Sequence, residues 1–416
     1  MSGRRVVVTG IGVLSSIGNG AAEFTRALRE GRCGAGPITR FDATGFREQY
    51  AHEVRDFEPA DWIHHLRPDT LGRTTQFSLA AARMATRDAD LEPDRLRETR
   101  VLVTIGTTDG EAAEYERLIE TELAEGPEGM DATAVRRLPA HRLALAVVRE
   151  LRLPYAAPSV LGTACAAGNY AIGDGFDAIR SGEADYALVG GADALARRTF
   201  AGFSRMGLVA PDRCRPFDAE REGLLTAEGA GVLLLEPLDS ALARGARIYA
   251  ELLGYGLNCD AHHPTAPALE SVSRCMELAL ADAGVKTGEV DLVSAHGTGT
   301  KTNDVTEARA IRAVFGDEPP RTVALKSMLG HSMGAASALG AAASALALAR
   351  GFIPPTVNHR STDPECGIDC VPNHAVAEAP RVVVNNGLAF GGNNASLVLG
   401  RSDRTEDSPR DPEDPR

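Results

Sequence analysis

Cys165 stands in the run GTACAAG, following what reads as a buried strand and opening a helix-type pattern whose first residues are small. A cysteine there has backbone N–H groups and the positive end of a helix dipole beside its sulfur, which favour the nucleophilic thiolate. The competing reading is a buried structural cysteine, the commoner fate of a lone Cys. Two histidines follow apolar runs: His296 opens HGTGTKTND after Leu292–Ala295, and His331 follows KSMLG after Val323–Leu325. Lys326, one of only three lysines with Lys286 and Lys301, precedes His331 by five positions. A lysine can shift its pKa on burial whereas an arginine cannot lose its proton, so this placement suits a convergent polar site.

Three other patterns compete. GHSMG (330–334) matches the G-x-S-x-G nucleophile elbow in a strand-turn-helix context. Ser332 could then serve an acyltransferase or hydrolase with Asp363 or Asp369 and His359 or His374, although no HGGG-type oxyanion motif precedes it. Its plainer reading is a turn of small residues that lets strand and helix approach. His359, Cys366, Cys370 and His374 carry zinc-competent side chains but lack the paired C-x2-C knuckle, so they read as a surface connection without metal. The opening VVVTGIGVLSSIGNG resembles a dinucleotide fingerprint, yet Ser15 stands where the third glycine belongs. It reads as a strand running into a glycine-rich structural turn.

The elements that must position these residues alternate. Strand-like runs recur at Arg5–Thr9, Val101–Ile105, Tyr186–Val189, Gly231–Leu235, Ile248–Leu253, Asp291–Ala295, Thr322–Leu325 and Arg381–Asn385. Helix-type patterns lie between them, as at Thr75–Asp88, Ala166–Arg180, Ser271–Ala283 and Val305–Phe315, which argues for an α/β layered fold. The segments Pro158–Gly182 and Thr322–Gly351 share one grammar of strand, sharp turn and helix, and each is followed by a strand and a glycine pair. The chain therefore reads as two similar halves, 1–245 and 246–401, and a charged, proline-bearing tail, 402–416, expected to be disordered.

Composition narrows the function. At 416 residues with 44 basic and 57 acidic side chains, the net charge of −13 gives no bulk attraction to nucleic acid or an anionic membrane. The apolar run Val6–Val8 is too short for the core of a secretory signal, so secretion is not expected, and Gly334–Ala349 reads as a packed interior helix shorter than the roughly 20 residues that cross a bilayer. Seven cysteines, an odd and scattered number, suit a reducing cytoplasm.

These residues resemble the β-ketoacyl-acyl-carrier-protein synthases of the decarboxylating, elongating type. The likeness runs to about Gly400 through VVVTGIGVLSSIGNG, GTACAAG, Cys214–Glu236, HGTGTKTND, KSMLGHSMGA and AFGGNNASLVL. It implies a thiolase-like αβαβα fold of two halves, with Cys165 taking the acyl group and His296 and His331 holding the malonyl thioester oxygen during decarboxylation. By the same resemblance the backbone N–H groups of Cys165 and Phe390 form the oxyanion hole, Phe390 gates the site, Lys326 tunes it and pairs with Glu307, and Thr298 and Thr300 bind pantetheine. Ser332 becomes a turn residue. Substrates arrive on the phosphopantetheine of an acyl carrier protein, with no cofactor or metal held directly. The second chain is a copy or a chain-length-factor-like partner. Asp109 falls near the acyl tunnel, and Asn385–Asn394 departs from the phenylalanine-rich motif of the family. Arg67, Arg73, Arg136, Arg137 and Arg205 are candidates for docking the acidic carrier. The competing classes are a noncatalytic chain-length subunit, which generally lacks the cysteine, a Ser332 acyltransferase and a CoA-dependent thiolase.

Overall fold

The structure is a computed structural model that describes residues 3–402. The expected disordered tail, Ser402 apart, lies outside the described residues.

Ten strands form the main sheet structure: β1 (Val6–Ser15), β2 (Val101–Gly106), β3 (Ala156–Leu161), β4 (Tyr186–Asp193), β5 (Gly229–Pro237), β6 (Ala250–Cys259), β7 (Leu292–Ser294), β8 (Arg321–Val323), β9 (Val382–Leu388) and β10 (Asn393–Gly400). A two-residue strand, Gly18–Asn19, folds back on the end of β1. Hydrogen bonding orders the ten β3-β2-β4-β5-β1-β6-β10-β9-β7-β8. β2 is parallel to β3 and β4, while β5 is antiparallel to both β4 and β1. The second set repeats this: β7 is parallel to β8 and β9, and β10 is antiparallel to β9 and β6. The two sets meet where Val6–Val8 of β1 pair antiparallel with Ala250–Leu252 of β6.

Helices cover every face. α1 (Arg73–Asp88) and α2 (Arg142–Leu151) pack outside the first sheet, and α5 (Leu269–Ala283) and α6 (Lys301–Phe315) outside the second. Between the sheets lie α3 (Ala167–Ser181) and α7 (Ala336–Arg350), giving five layers, αβαβα. Strands covered on both faces have no side to expose, which is why β4 is buried along its whole length. α7 reads ASALGAAASALALAR because a helix enclosed on all sides cannot be amphipathic. Met333–Arg350 is apolar and long enough to cross a membrane, but it is buried inside this sandwich.

The internal repeat is geometric. Ala164 and Met333 both adopt left-handed backbone, φ 49° and 50°. α3 and α7 are each 15 residues and end at a left-handed glycine, Gly182 and Gly351. One constant offset relates 164 to 333, 167 to 336 and 182 to 351, and it sets Cys165 opposite Gly334.

Two expectations need correction. The opening is not a strand followed by a glycine turn, because β1 continues through Gly10 and Gly12 to Ser15. Those glycines admit α1: a Cβ on Gly12 would stand 1.8 Å from the carbonyl oxygen of Ala81. The strand before Cys165 is not buried either. β3 is a sheet edge with Ala157 and Pro158 exposed, since β2 flanks it on one side only.

Small residues set the spacing between halves. A Cβ on Gly168 would lie 2.6 Å from the backbone N of Ala338, where only main-chain movement gives relief. Gly168→Ala is therefore expected to cost about 1–3 kcal/mol through overpacking, read as a lower urea midpoint with unchanged m-value.

Candidate active site

Loops at one end of the sheets bring the sequence-identified groups together. Cys165, His296, His331, Thr298, Thr300 and Phe390 all line one cavity of about 370 Å³, with Phe203, Arg221, Leu388 and Asn303 among its other lining residues. Cys165 follows the strained turn at Ala164, at the start of the helical segment that becomes α3. His296 follows β7, and His331 follows the turn after β8. Lys326 is buried behind the histidines and Glu307 faces inward from α6, fully buried.

The hydrogen bonds assign the state of His296. The N–H of Leu388 donates to its Nδ1 at 3.3 Å and the Lys326 ammonium lies 3.4 Å from the same atom. With Nδ1 accepting, the ring proton resides on Nε2. Burial first, then the Lys326 charge and the neighbouring His331, hold the His296 pKa well below the ordinary histidine value. Burial and Lys326 act likewise on His331. The two rings meet edge to face with centroids 5.4 Å apart. Among the described residues nothing donates to or accepts from the buried Nδ1 of His331, so an acceptor oxygen in the cavity can draw its proton to Nε2. Both rings are thus held toward the neutral form, and His296 presents Nε2–H.

Lys326 and Glu307 act differently from the expected ion pair. The Lys326 ammonium donates to the carbonyl oxygen of His296 at 2.5 Å. Glu307 instead accepts from the backbone N–H groups of His296 and Gly297, each at 2.8 Å, and from the Asn386 amide at 3.2 Å. The two charges attract through space, while each grips the His296 turn from a different side. Burial pushes the lysine down and the glutamate up, and their mutual attraction opposes both shifts.

Burial also dominates Cys165, pushing its thiol up to about 12, while the Lys326 charge and the N–H of Phe390 pull it back. Desolvation outweighs both, so the expected thiolate gives way to a thiol in the resting site.

Several expected residues lie elsewhere. Asp109 does not line the cavity: its carboxylate accepts from Thr199 and pairs with Arg198 at 3.1 Å on α4 (Arg197–Arg205). Arg73 is a strut, bonded through two nitrogens to buried Glu228 at 2.9 and 2.7 Å and stacked on Phe77. Arg137 binds Glu114 and the carbonyl of Asp69, and Arg67 pairs with Asp69. Arg136 and Arg205 are exposed, and Arg205 lies between the cavity-lining Phe203 and Gly207. None of these five arginines lines the cavity.

Ser332 does not occupy an elbow apex. The left-handed residue is Met333, Ser332 is buried outside the cavity lining, and its Oγ has no partner among the described residues. His359 packs on Cys370 at 3.7 Å, and among the described residues no three His, Cys, Asp or Glu side chains converge as a metal requires.

Sequence reading missed Asp193, at the end of β4 and near enough to Cys165 for its charge to act on the thiol. It accepts from Thr107 Oγ1 at 2.6 Å and the N–H groups of Thr108 at 2.8 Å, Asp109 at 3.1 Å and Gly334 at 2.7 Å. It ties the loop after β2 to the opposite half, and burial pushes its pKa up to about 7. Its only signal was an acidic residue just beyond the Gly190-Gly191 pair.

Comparison with known proteins agrees with this geometry. The profile described as "Beta-ketoacyl synthase, N-terminal domain" matches residues 3–241, and "Beta-ketoacyl synthase, C-terminal domain" matches 249–360. The chain belongs to the β-ketoacyl synthase family. It is 36% identical over 408 residues to 3-oxoacyl-[acyl-carrier-protein] synthase 2 of Synechocystis sp., covering 95% of this chain and 98% of the relative. It is 38% identical over 410 residues to nodulation protein E of a Rhizobium sp., covering 95% and 99%. Among solved structures, the ishigamide ketosynthase/chain length factor superposes with TM-score 0.95 at 60% identity, covering 96% of this synthase and 100% of that chain. A type II PKS acyl-carrier protein in complex with its ketosynthase bound to the hexaketide superposes at 0.89 and 31% identity, covering 96% and 100%.

With its thiol held up by burial, Cys165 is expected to react with iodoacetamide at a rate that climbs about tenfold per pH unit from pH 7 to 10 with no plateau. Lys326→Met removes the one cation that lowers this pKa and is expected to slow alkylation at every pH. Peptide mass mapping of Cys165 against time measures both.

Proposed function

We propose that this synthase catalyses decarboxylative Claisen condensation of malonyl carrier protein with an acyl group held on Cys165, in polyketide or fatty-acid type elongation. The observation that carries the reading is the convergence of one thiol and two neutral imidazoles, 5.4 Å apart, on a single cavity. On this reading residues 1–245 supply the nucleophile and 246–401 both histidines.

In the first half-reaction Cys165 sulfur attacks the acyl thioester of the carrier. The carrier sulfur leaves, and the proton lost by Cys165 ends on that departing thiol. The N–H of Phe390, already directed at the sulfur, and that of Cys165 stabilise the tetrahedral oxyanion. In the second half-reaction malonyl carrier protein enters with its pantetheine arm against Thr298 and Thr300. The carbon–carbon bond to its carboxylate breaks, carbon dioxide leaves, and the electron pair moves onto the thioester oxygen. Nε2–H of His296 and Nε2–H of His331 meet that charge. The enolate carbon attacks the acyl carbon on Cys165, the cysteine sulfur departs and takes up a proton, and 3-oxoacyl carrier protein is released. Neutral donors suit this step, because donors already in place avoid reorganisation when charge develops.

The carrier protein docks at the cavity mouth, where Arg205 is exposed between the lining residues Phe203 and Gly207, and the exposed Arg67 and Arg136 are the remaining candidates. A second chain of the same fold, either a copy or a chain-length-factor-like subunit, covers the bare edge of β3. Beside that edge the protein exposes Tyr155, and on the helix Ala112–Glu125 it exposes Tyr115, Ile119 and Leu123, spaced every four residues. That stripe is the kind of apolar surface an obligate partner buries.

Cys165→Ser is expected to abolish the acyl adduct seen by peptide mass mapping with acyl carrier protein. His296→Ala and His331→Ala are each expected to keep that adduct but lower carbon dioxide release from malonyl carrier protein by about 10²–10³-fold. Acylation of Ser332 in place of Cys165 would refute the assignment. Leu123→Glu is expected to shift the protein toward monomer in light scattering, with a larger free fraction at low concentration.

A further inference from the structure

Within the condensing site proposed above, on which this inference rests, Thr298 and Thr300 can guide a pantetheine arm only if their turn is held still. The turn cannot hold itself. Gly297 and Gly299 both have positive φ, and the hydroxyls of Thr298 and Thr300 bond mainly to one another, at 2.8 Å. Thr300 does not cap α6 with its side chain.

What fastens the turn is a buried ionic cluster. Asp304, fully buried, accepts from the N–H groups of Thr298 at 3.1 Å and Gly299 at 3.2 Å through Oδ1, and from the N–H of Phe217 at 2.8 Å through Oδ2. Arg221, with a side chain 2% exposed, sits 3.5 Å from Asp304 Oδ2. Its Nη1 donates to Asp363 at 2.6 Å and to the carbonyl of Asp218 at 2.7 Å. Its Nη2 donates to the carbonyl of Lys301 at 3.2 Å, and its Nε lies 3.5 Å from that of Thr300. One planar guanidinium therefore joins three separate segments: its own loop, the threonine turn, and the 360–363 loop. That last loop is held in turn by Asp218, which accepts from the N–H groups of Arg360 and Ser361.

We propose that Arg221 is a positioning residue for the pantetheine arm, acting through Asp304 and the Thr300 and Lys301 carbonyls to fix Thr298 and Thr300. The division of labour is specific. Glu307 holds the N–H groups of His296 and Gly297, at the catalytic end of the same turn, and Arg221 with Asp304 holds the threonine end. Loosening Arg221 should therefore weaken binding of the arm more than it slows chemistry at His296. Lysine cannot replace it, because a compact ammonium lacks the fork that reaches three segments at once.

The test uses the full chain, with acyl-pantetheine and malonyl-pantetheine as substrates so that carrier docking plays no part. Arg221→Lys and Arg221→Met are expected to raise KM for both thioesters about tenfold or more, to lower kcat by less than about threefold, and to leave iodoacetamide alkylation of Cys165 unchanged. Arg221→Lys, which keeps a charge opposite Asp304, should fall between wild type and Arg221→Met. If the Arg221 variants do not fold, Asp363→Asn removes one arm of the fork at a carboxylate nearer the surface and should raise KM in the same direction by a smaller factor. Unchanged KM, a fall confined to kcat, or parallel loss of Cys165 alkylation would overturn the positioning role. A wild-type protein that forms no Cys165 adduct with any carrier or pantetheine thioester would instead overturn the condensing function itself.

Discussion

Burying one lysine governs the chemistry of this site. The Lys326 ammonium sits out of water, where an isolated charge costs several kcal/mol unless partners compensate. The His296 carbonyl at 2.5 Å and the through-space attraction of Glu307 supply that compensation. Its field then acts on everything nearby: it disfavours protonation of both histidines and draws the Cys165 thiol toward ionisation. Burial is the larger cause at all three groups, and this one cation reinforces it at the histidines and opposes it at the thiol. An arginine in its place would stay charged, but its larger fork would not leave the single short bond that seats the His296 turn.

That burial depends on how closely the two halves approach. α3 and α7 lie side by side between the sheets, with Gly168 against Ala338 and Gly191 against Gly334. At such contacts a methyl group is too large, so the abundance of glycine and alanine in the middle layer is a packing requirement. The same closeness lets Asp193, at the end of one sheet, accept a hydrogen bond from Gly334 of the other half at 2.7 Å. The loop after β2 and the turn that follows His331 are therefore parts of one hydrogen-bonded unit.

Much of this was legible in residue types and spacing. Cys165, His296, His331 and Lys326 stood out because each is a reactive group beside small residues that permit a sharp turn. The repeat was legible because its turn and helix-ending residues recur in order. What stayed hidden depends on contacts between distant segments. Arg73 read as a surface cation because nothing local announces Glu228, which lies far along the chain. Asp109 is held by Thr199 and Arg198 of α4, contacts that nothing beside it in the sequence announces. The thiolate expectation used the helix end, which is local, and missed desolvation, which is created by the whole fold. Gly10 and Gly12 read as a turn because glycine in a strand interior is uncommon, and only the approach of α1 explains them.

The repeat also explains why the serine elbow was misleading. Both halves use one device, a left-handed residue that turns the chain into a central helix, so both carry a small-residue signature around it. In the first half the position after the left-handed residue is Cys165, which projects its sulfur into the cavity. In the second half that position is Gly334, which has no side chain and donates its N–H to Asp193 instead. The second turn has no thiol at this position and supplies His331 from the residue two before Met333. The two copies of the turn thus place Cys165 and His331 on the same cavity. Ser332 falls between these roles, buried and outside the cavity lining, because the geometry that would aim it belongs to its neighbour Met333.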